Sequence, residues 1–312
     1  MKHNLKITAI LISMFLITQI IGLFVATVYI DTPNNVKNVT LPYGMEPPPE
    51  IKEDPGGQGP YIIIAFILAI SIFFVLIKMN AENFIRLWFF LVTTIALGLA
   101  LNAVFIKLSL PYAPILAIII GLPLSYFKIF KRHLLTHNIT ELLIYPGIAV
   151  VFISLLNLFW MIILLLLISL YDIWAVWHSE FMQNMAKYQI NNLKFFTGFF
   201  IPYASRKQKD KLEQIKQKYA EKPDELEKQF KKAKIKINLA ILGGGDVIFP
   251  IITAGVFYKI FGSILPALMI MISATLALLY LFVLAEKGKF YPAMPFLTIG
   301  MYLGMIVNWI VF

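Results

Sequence analysis

Long apolar runs separated by short polar breaks dominate the chain almost from end to end. Nine of them read as spans, at about 5–30, 61–79, 84–107, 112–129, 141–158, 159–177, 239–258, 262–284 and 292–311. Each holds about 18 residues or more, the length a helix needs to cross a hydrocarbon core about 30 Å thick. The stretch from Leu142 to Trp177 is too long for one crossing and turns near Asn157, so it counts as two. The first run is longer than the apolar part of a signal peptide and carries no convincing small-residue cleavage site, so it reads as a retained helix. Residues 31–60, with Pro47-Pro48-Pro49 and Asp54-Pro55-Gly56-Gly57, read as a loop. Residues 205–237 are the long hydrophilic stretch, rich in Lys and Glu and broken at Pro223. Residues 178–204 mix Phe181, Met182, Met185, Leu193, Phe195, Phe196, Phe199 and Phe200 with polar positions, the pattern of an amphipathic segment at a membrane interface. The expected fold class is an all-α polytopic membrane protein. Its parts are a six-span half (1–177), a cytoplasmic amphipathic segment and charged loop (178–238) and a three-span half (239–312).

Composition agrees with the pattern. Of 312 residues, 59% are hydrophobic, and the mean hydropathy is +0.78, which excludes an ordinary soluble domain. The formal net charge of +10 orients the chain rather than pointing to nucleic acid. With the N-terminus in the cytoplasm, only Lys37, Lys52, Lys107 and Lys259 of the 27 Lys and Arg fall outside. By the positive-inside rule the N-terminus and 178–238 are cytoplasmic and the C-terminus is outside. No cysteine is present, so disulfides, thiolate metal sites and cysteine nucleophiles are excluded. His133 and His137 stand four apart, but in a basic loop with no carboxylate partner, so no metal site is expected.

The acidic residues then change the picture. Only Asp172 and Asp246 sit inside spans; the others, including Glu141 and Glu180, fall in loops or at span ends. A carboxylate at membrane depth is costly and is a functional-site hypothesis by default. No Lys or Arg is expected deep in a span to pair with either. Span six starts at about Phe159 and runs inward, which puts Asp172 about 20 Å along it and about 10 Å from the cytoplasmic face. Span seven, starting at about Leu239, puts Asp246 also about 10 Å deep. Two close carboxyl groups in a medium of low dielectric share a proton. The ionised member can take a proton from water while the protonated one polarises a peptide carbonyl. That chemistry requires no metal and no organic cofactor. Gly243, Gly244 and Gly245 carry no side chains, so backbone or substrate can come close to Asp246; tight helix packing is the competing explanation.

These residues resemble a known family. Tyr171-Asp172, Leu242-Gly243-Gly244-Gly245-Asp246 and Pro292-Ala293-Met294-Pro295 are similar to the YD, GxGD and PAL motifs of presenilin and signal peptide peptidase, in the same order and on a similar nine-span layout. The small size looks most like the archaeal presenilin homologues. Met294 departs from the usual Leu, a volume-conserving change. Pro266-Ala267-Leu268 spells the third motif literally, but lies at the outer start of span eight, away from the aspartates. The resemblance implies an intramembrane aspartyl endopeptidase with Asp172 and Asp246 catalytic. It further implies support from Tyr171, Leu242, Gly243 and Gly245, and substrate binding by Pro292, Ala293 and Met294. The implied partners are transmembrane helices of membrane-protein substrates and the lipid bilayer, with no nucleic acid and no obligate protein partner. It also implies a preference for single-span substrates whose N-terminus is outside. The alternative is a cation- or proton-conducting protein using the same carboxylates. Against it, Asn102 and Asn157 are the only other obvious polar residues in spans, too few for a trail across the membrane. A prepilin-type peptidase shares the GxGD aspartate but lacks the other two motifs.

Overall fold

A computed structural model describes residues 5–36, 39–46, 59–131, 133–178, 188, 193, 196–203, 238–286 and 291–311. Among these residues nine helices are long and apolar enough to cross a membrane. They are α1 (Leu5–Tyr29), α2 (Gly59–Lys78), α3 (Glu82–Lys107), α4 (Ala113–Phe130), α5 (Leu134–Leu155), α6 (Leu158–Trp177), α7 (Gly244–Phe261), α8 (Ile264–Leu284) and α9 (Met294–Val311). Helices suit the bilayer because each satisfies its own backbone internally.

The helix ends follow local chemistry. Asn157 caps α6, its side chain accepting the Trp160 N–H at 2.9 Å. Ser263 starts α8 by accepting from Leu265, and Gly262, at φ 64°, ends α7 in the left-handed conformation. Lys259 near the end of α7 donates to the Ser154 carbonyl at 2.9 Å and to the Ile153 and Leu156 carbonyls. A cation thus meets the negative end of α5.

Helix α7 is the hub. Val247, Ile251, Ile252, Ala254, Val256 and Phe257 are all buried, in one core with side chains of α1, α5, α8 and α9. Helices α8 and α9 lie along each other, and α6 docks on α9. Ser169 and Thr298 share a hydrogen bond of 2.7 Å, and Tyr302 donates to the Ile162 carbonyl at 2.7 Å.

Two differences from the sequence reading matter for the site. First, α5 starts at Leu134 rather than at about 141, so His137, Asn138 and Glu141 lie inside a helix. Second, residues 238–243 are not helical. They form a strand, β2 (Asn238–Gly243), paired antiparallel with β1 (Gly198–Tyr203), and α7 begins only at Gly244. The amphipathic reading of 178–204 falls mostly outside the described residues; its last part, 198–203, is β1.

Candidate active site

Asp172 is buried in the lower half of α6. Its Oδ2 accepts the Met294 backbone N–H at 3.0 Å, and the Ala293 N–H also bonds this carboxylate. The two amides belong to the first turn of α9 and the residue before it. Their free N–H groups and the helix dipole favour a negative or hydrogen-bond-accepting group there.

Asp246 reaches its place by a different route. Gly243 is the N-cap residue of α7 and Asp246 is the third residue of the helix. Its carboxylate accepts the Gly243 N–H, the reach-back half of a capping box. Pro250 has no N–H for the Asp246 carbonyl, which loosens this turn. Gln19 of α1, fully buried, donates Nε2–H to the neighbouring Val247 carbonyl at 3.0 Å and so fixes the turn from outside. The two carboxyl groups lie within electrostatic reach of one another. No Lys, Arg or His forms an ion pair with either aspartate among the described residues, and no metal-holding cluster of His, Cys, Asp and Glu is found among them.

The structure brings Asp172, Asp246, Gly243, Ala293 and Met294 to one end of the bundle. Pro292 is buried beside them. Leu242 is buried on β2, opposite Phe199 of β1. Gly245 is exposed, with no atom closer than the Phe249 ring at 3.9 Å to a side chain built on it. Tyr171 stands apart: it is 40% exposed and turns its ring toward Trp174 on the outer face of α6. The Pro266-Ala267-Leu268 copy sits at the opposite end of α8, where the Pro266 carbonyl accepts from Asn308.

Several residues of this region were not foreseen. Tyr145 of α5 is buried and packs its ring edge-on against Phe199. A Cβ on Gly244 would lie 2.9 Å from that ring, so the middle glycine of the triplet is the one the protein's own packing requires. Lys128, at the end of the expected fourth span, is buried within α4 and pairs with Glu141 of α5. Glu141, read as a span-end acid, is buried as well. His137, read as lacking a carboxylate partner, lies 3.5 Å from Glu141. Hydropathy counts such residues as span ends; only their mutual pairing keeps them inside. Asn102 is occupied by Tyr29, to whose hydroxyl it donates at 2.7 Å, and Asn157 is a helix cap.

A helical membrane bundle with two carboxyl groups gathered at one end defines a class of protein, and comparison with known proteins agrees. Residues 12–312 match the family described as signal-peptide peptidase, presenilin aspartyl protease. A presenilin family intramembrane aspartate protease, solved in a C222 crystal form, superposes with a TM-score of 0.59 at 18% identity, covering 98% of this chain and 99% of its own. Its P2 form gives 0.57, also at 18% identity, with 97% of each chain covered. No curated protein matches the sequence. The chain belongs to the signal-peptide peptidase and presenilin aspartyl protease family.

Proposed function

We propose that this chain is a GxGD-type intramembrane endopeptidase that hydrolyses peptide bonds within transmembrane segments, with Asp172 and Asp246 as the catalytic pair. The observation that carries the proposal is the meeting of three segments. Asp172 of α6 accepts the Ala293 and Met294 amides, and Asp246, held by the Gly243 amide, stands within its electrostatic reach. In this reading the ionised carboxylate takes a proton from water as the water attacks the scissile carbonyl. The other carboxyl donates a hydrogen bond to the developing oxyanion and then passes its proton to the leaving amine. The group needs no metal to do this.

Strand β2 supports the reading, because it leads straight into the Asp246 turn. Hydrolysis needs an extended peptide, and an unwound segment in a membrane needs partners for its amides. The edge of β2 away from β1 offers a row of them, and a peptide can add to such an edge as a further strand. Pro292, Ala293 and Met294 would then line the other side of the bound peptide. The charge distribution supports a cytoplasmic N-terminus and an outside C-terminus, which fits single-span substrates with their N-terminus outside. The chain is taken to act without an obligate protein partner.

The test is reconstitution of the purified protein in vesicles with a single-span reporter peptide. Wild type is expected to cleave it, and Asp172→Asn and Asp246→Asn to lose cleavage by at least about a thousandfold, as removal of an essential proton-transfer group implies. Equal cleavage by wild type and both variants would overturn the assignment.

A further inference from the structure

Helix α5 carries buried polar residues that the proposed reaction does not use. Glu141 and Lys128 pair inside the bundle, and His137 lies beside them. An ion pair is an expensive thing to keep among apolar helices, so its surroundings matter. Apart from Tyr145 of the same helix, which interacts with Glu141, the neighbouring contacts lead to β1. The Gly198 N–H donates to Glu141 Oε1 at 3.3 Å, and His137 Nε2–H donates to the Gly198 carbonyl at 2.9 Å. One residue along α5, Asn138 Nδ2 donates to the Phe200 carbonyl at 3.0 Å, and its Oδ1 accepts the Phe200 N–H at 3.3 Å.

The spacing has a geometric meaning. In a strand, alternate residues present their amides to the same edge. Gly198 and Phe200 are two apart, so both use the edge of β1 that faces away from β2. Pro202 occupies the next such position, where its missing N–H costs the ladder nothing. Asn138 bonds Phe200 through both its N–H and its carbonyl, as a residue of a neighbouring strand would. His137 and Glu141 together do the same for Gly198. Side chains of α5 therefore stand in for a third strand. Gly198 also carries φ 153°, and a Cβ there would lie 2.7 Å from the Leu242 carbonyl oxygen, so the anchored position accepts only glycine.

We propose that His137, Asn138 and Glu141, with Lys128 as counter-charge, form a clamp on β1 that fixes the register of the β1–β2 sheet against Asp246. They are positioning residues, and through the sheet they determine which peptide bond of the substrate is cut. The clamp closes one edge of the sheet, and among the described residues the outer edge of β2 carries no such set of side chains. It also holds β2 through β1, so that a peptide added to β2 meets the carboxylates at one position. The consequence for cleavage rests on the protease reading; the clamp itself does not.

Two variants test this, each with two measurements. Asn138→Ala removes the Phe200 lock from a partly buried helix position. The double variant Lys128→Met with Glu141→Gln removes the ion pair without stranding a buried charge. Hydrogen exchange followed by mass spectrometry reads the amides of 198–203. These are expected to exchange about tenfold faster in both variants, the size set by two lost hydrogen bonds, with α8 and α9 unchanged. Mass analysis of reporter products is expected to show one principal cut in wild type. In the variants, cuts two residues to either side appear beside it, because sheet register slips in steps that keep the same face, and kcat falls more than KM rises. Unchanged exchange in both variants overturns the clamp. Faster exchange with an unchanged product set and unchanged kcat overturns its role in register. If wild type itself fails to cleave, the protease reading fails, and the exchange measurement still decides the clamp.

Discussion

Replacing Gly244 with alanine puts a methyl group where the Tyr145 ring already stands. The new Cβ would lie 2.9 Å from Tyr145 Cε1, 3.0 Å from its hydroxyl oxygen and 3.3 Å from Cζ. Carbon atoms in ordinary contact are about 3.5 Å apart or more, so the ring must retreat by about 0.6 Å. It has nowhere easy to go, since Tyr145 is 2% exposed and lies edge-on against Phe199 with ring centroids 5.4 Å apart. Overpacking of this kind costs about 1–3 kcal/mol, a fall of a few degrees in Tm. Gly244 is also the first residue of α7, two before Asp246, so part of the displacement reaches the carboxylate. A shift approaching 1 Å at a reacting group lowers kcat by up to about a hundredfold. Gly245→Ala makes the contrast. Its methyl meets nothing closer than 3.9 Å, so stability holds or rises by about 0.5–1 kcal/mol from the better helix former. Gly245 is exposed and adjoins Asp246 in the chain, so the expected effect of the added methyl is a raised KM. Thermal unfolding in detergent and reporter kinetics measure both variants, and Tyr145→Leu placed in the Gly244→Ala background should recover part of the lost stability. A wild-type Tm for Gly244→Ala, with Gly245→Ala the unstable variant, would refute the packing argument.

Other contacts give predictions of their own. Lys259→Met removes the cation that binds three carbonyls at the end of α5 and should cost about 1.5–3 kcal/mol in thermal unfolding; a Tm equal to wild type would show the contact to be idle. Gln19→Met removes the donor to Val247 and should cost about 1 kcal/mol, with kcat falling because the turn carrying Asp246 loosens; unchanged kcat would place Gln19 outside the site. Ser169→Ala and Thr298→Val each break the bond between α6 and α9. A double-mutant cycle should show coupling of about 0.5–1.5 kcal/mol, and additive effects would mean that the two helices are held by apolar contact alone.

The spans were legible because lipid imposes a length and a composition on whatever crosses it. Seven of the nine starts lie within about two residues of the observed helices; α7 starts late because β2 precedes it, and α5 starts early for a chemical reason. Thr136, His137, Asn138, Thr140 and Glu141 lower the hydropathy of its first turns, and nothing in a sequence shows that Lys128 waits opposite them. The strands were missed for a related reason. Gly-Phe-Phe-Ile-Pro-Tyr and Asn-Leu-Ala-Ile-Leu-Gly are short apolar runs, equally compatible with helix ends and buried strands, and β2 runs into α7 without a polar break. The aspartates were legible because lone carboxylates in apolar surroundings stand out. Their supporting contacts were not: Asp172 is bonded by main-chain amides, which every residue carries. Gly244 was visible as a glycine, but the ring that requires it lies far away in the sequence.

Why so many polar residues gather at one end of α5 follows from the presence of the sheet. Non-helical backbone among membrane helices has unpaired amides on each outer edge, and each such group left in an apolar setting costs about 1–3 kcal/mol. Two strands have two outer edges. His137, Asn138 and Glu141 satisfy the edge of β1, and the Asp246 carboxylate satisfies the Gly243 amide at the end of β2. The remaining amides of β2, at Leu239 and Ile241, face away from β1. A protein selected only for stability would gain by closing that edge also, with polar side chains like those that close β1. Among the described residues side-chain partners stand on one edge of the strand pair; on the proposed protease reading the other edge, which ends three residues before Asp246, is the one that takes a further strand.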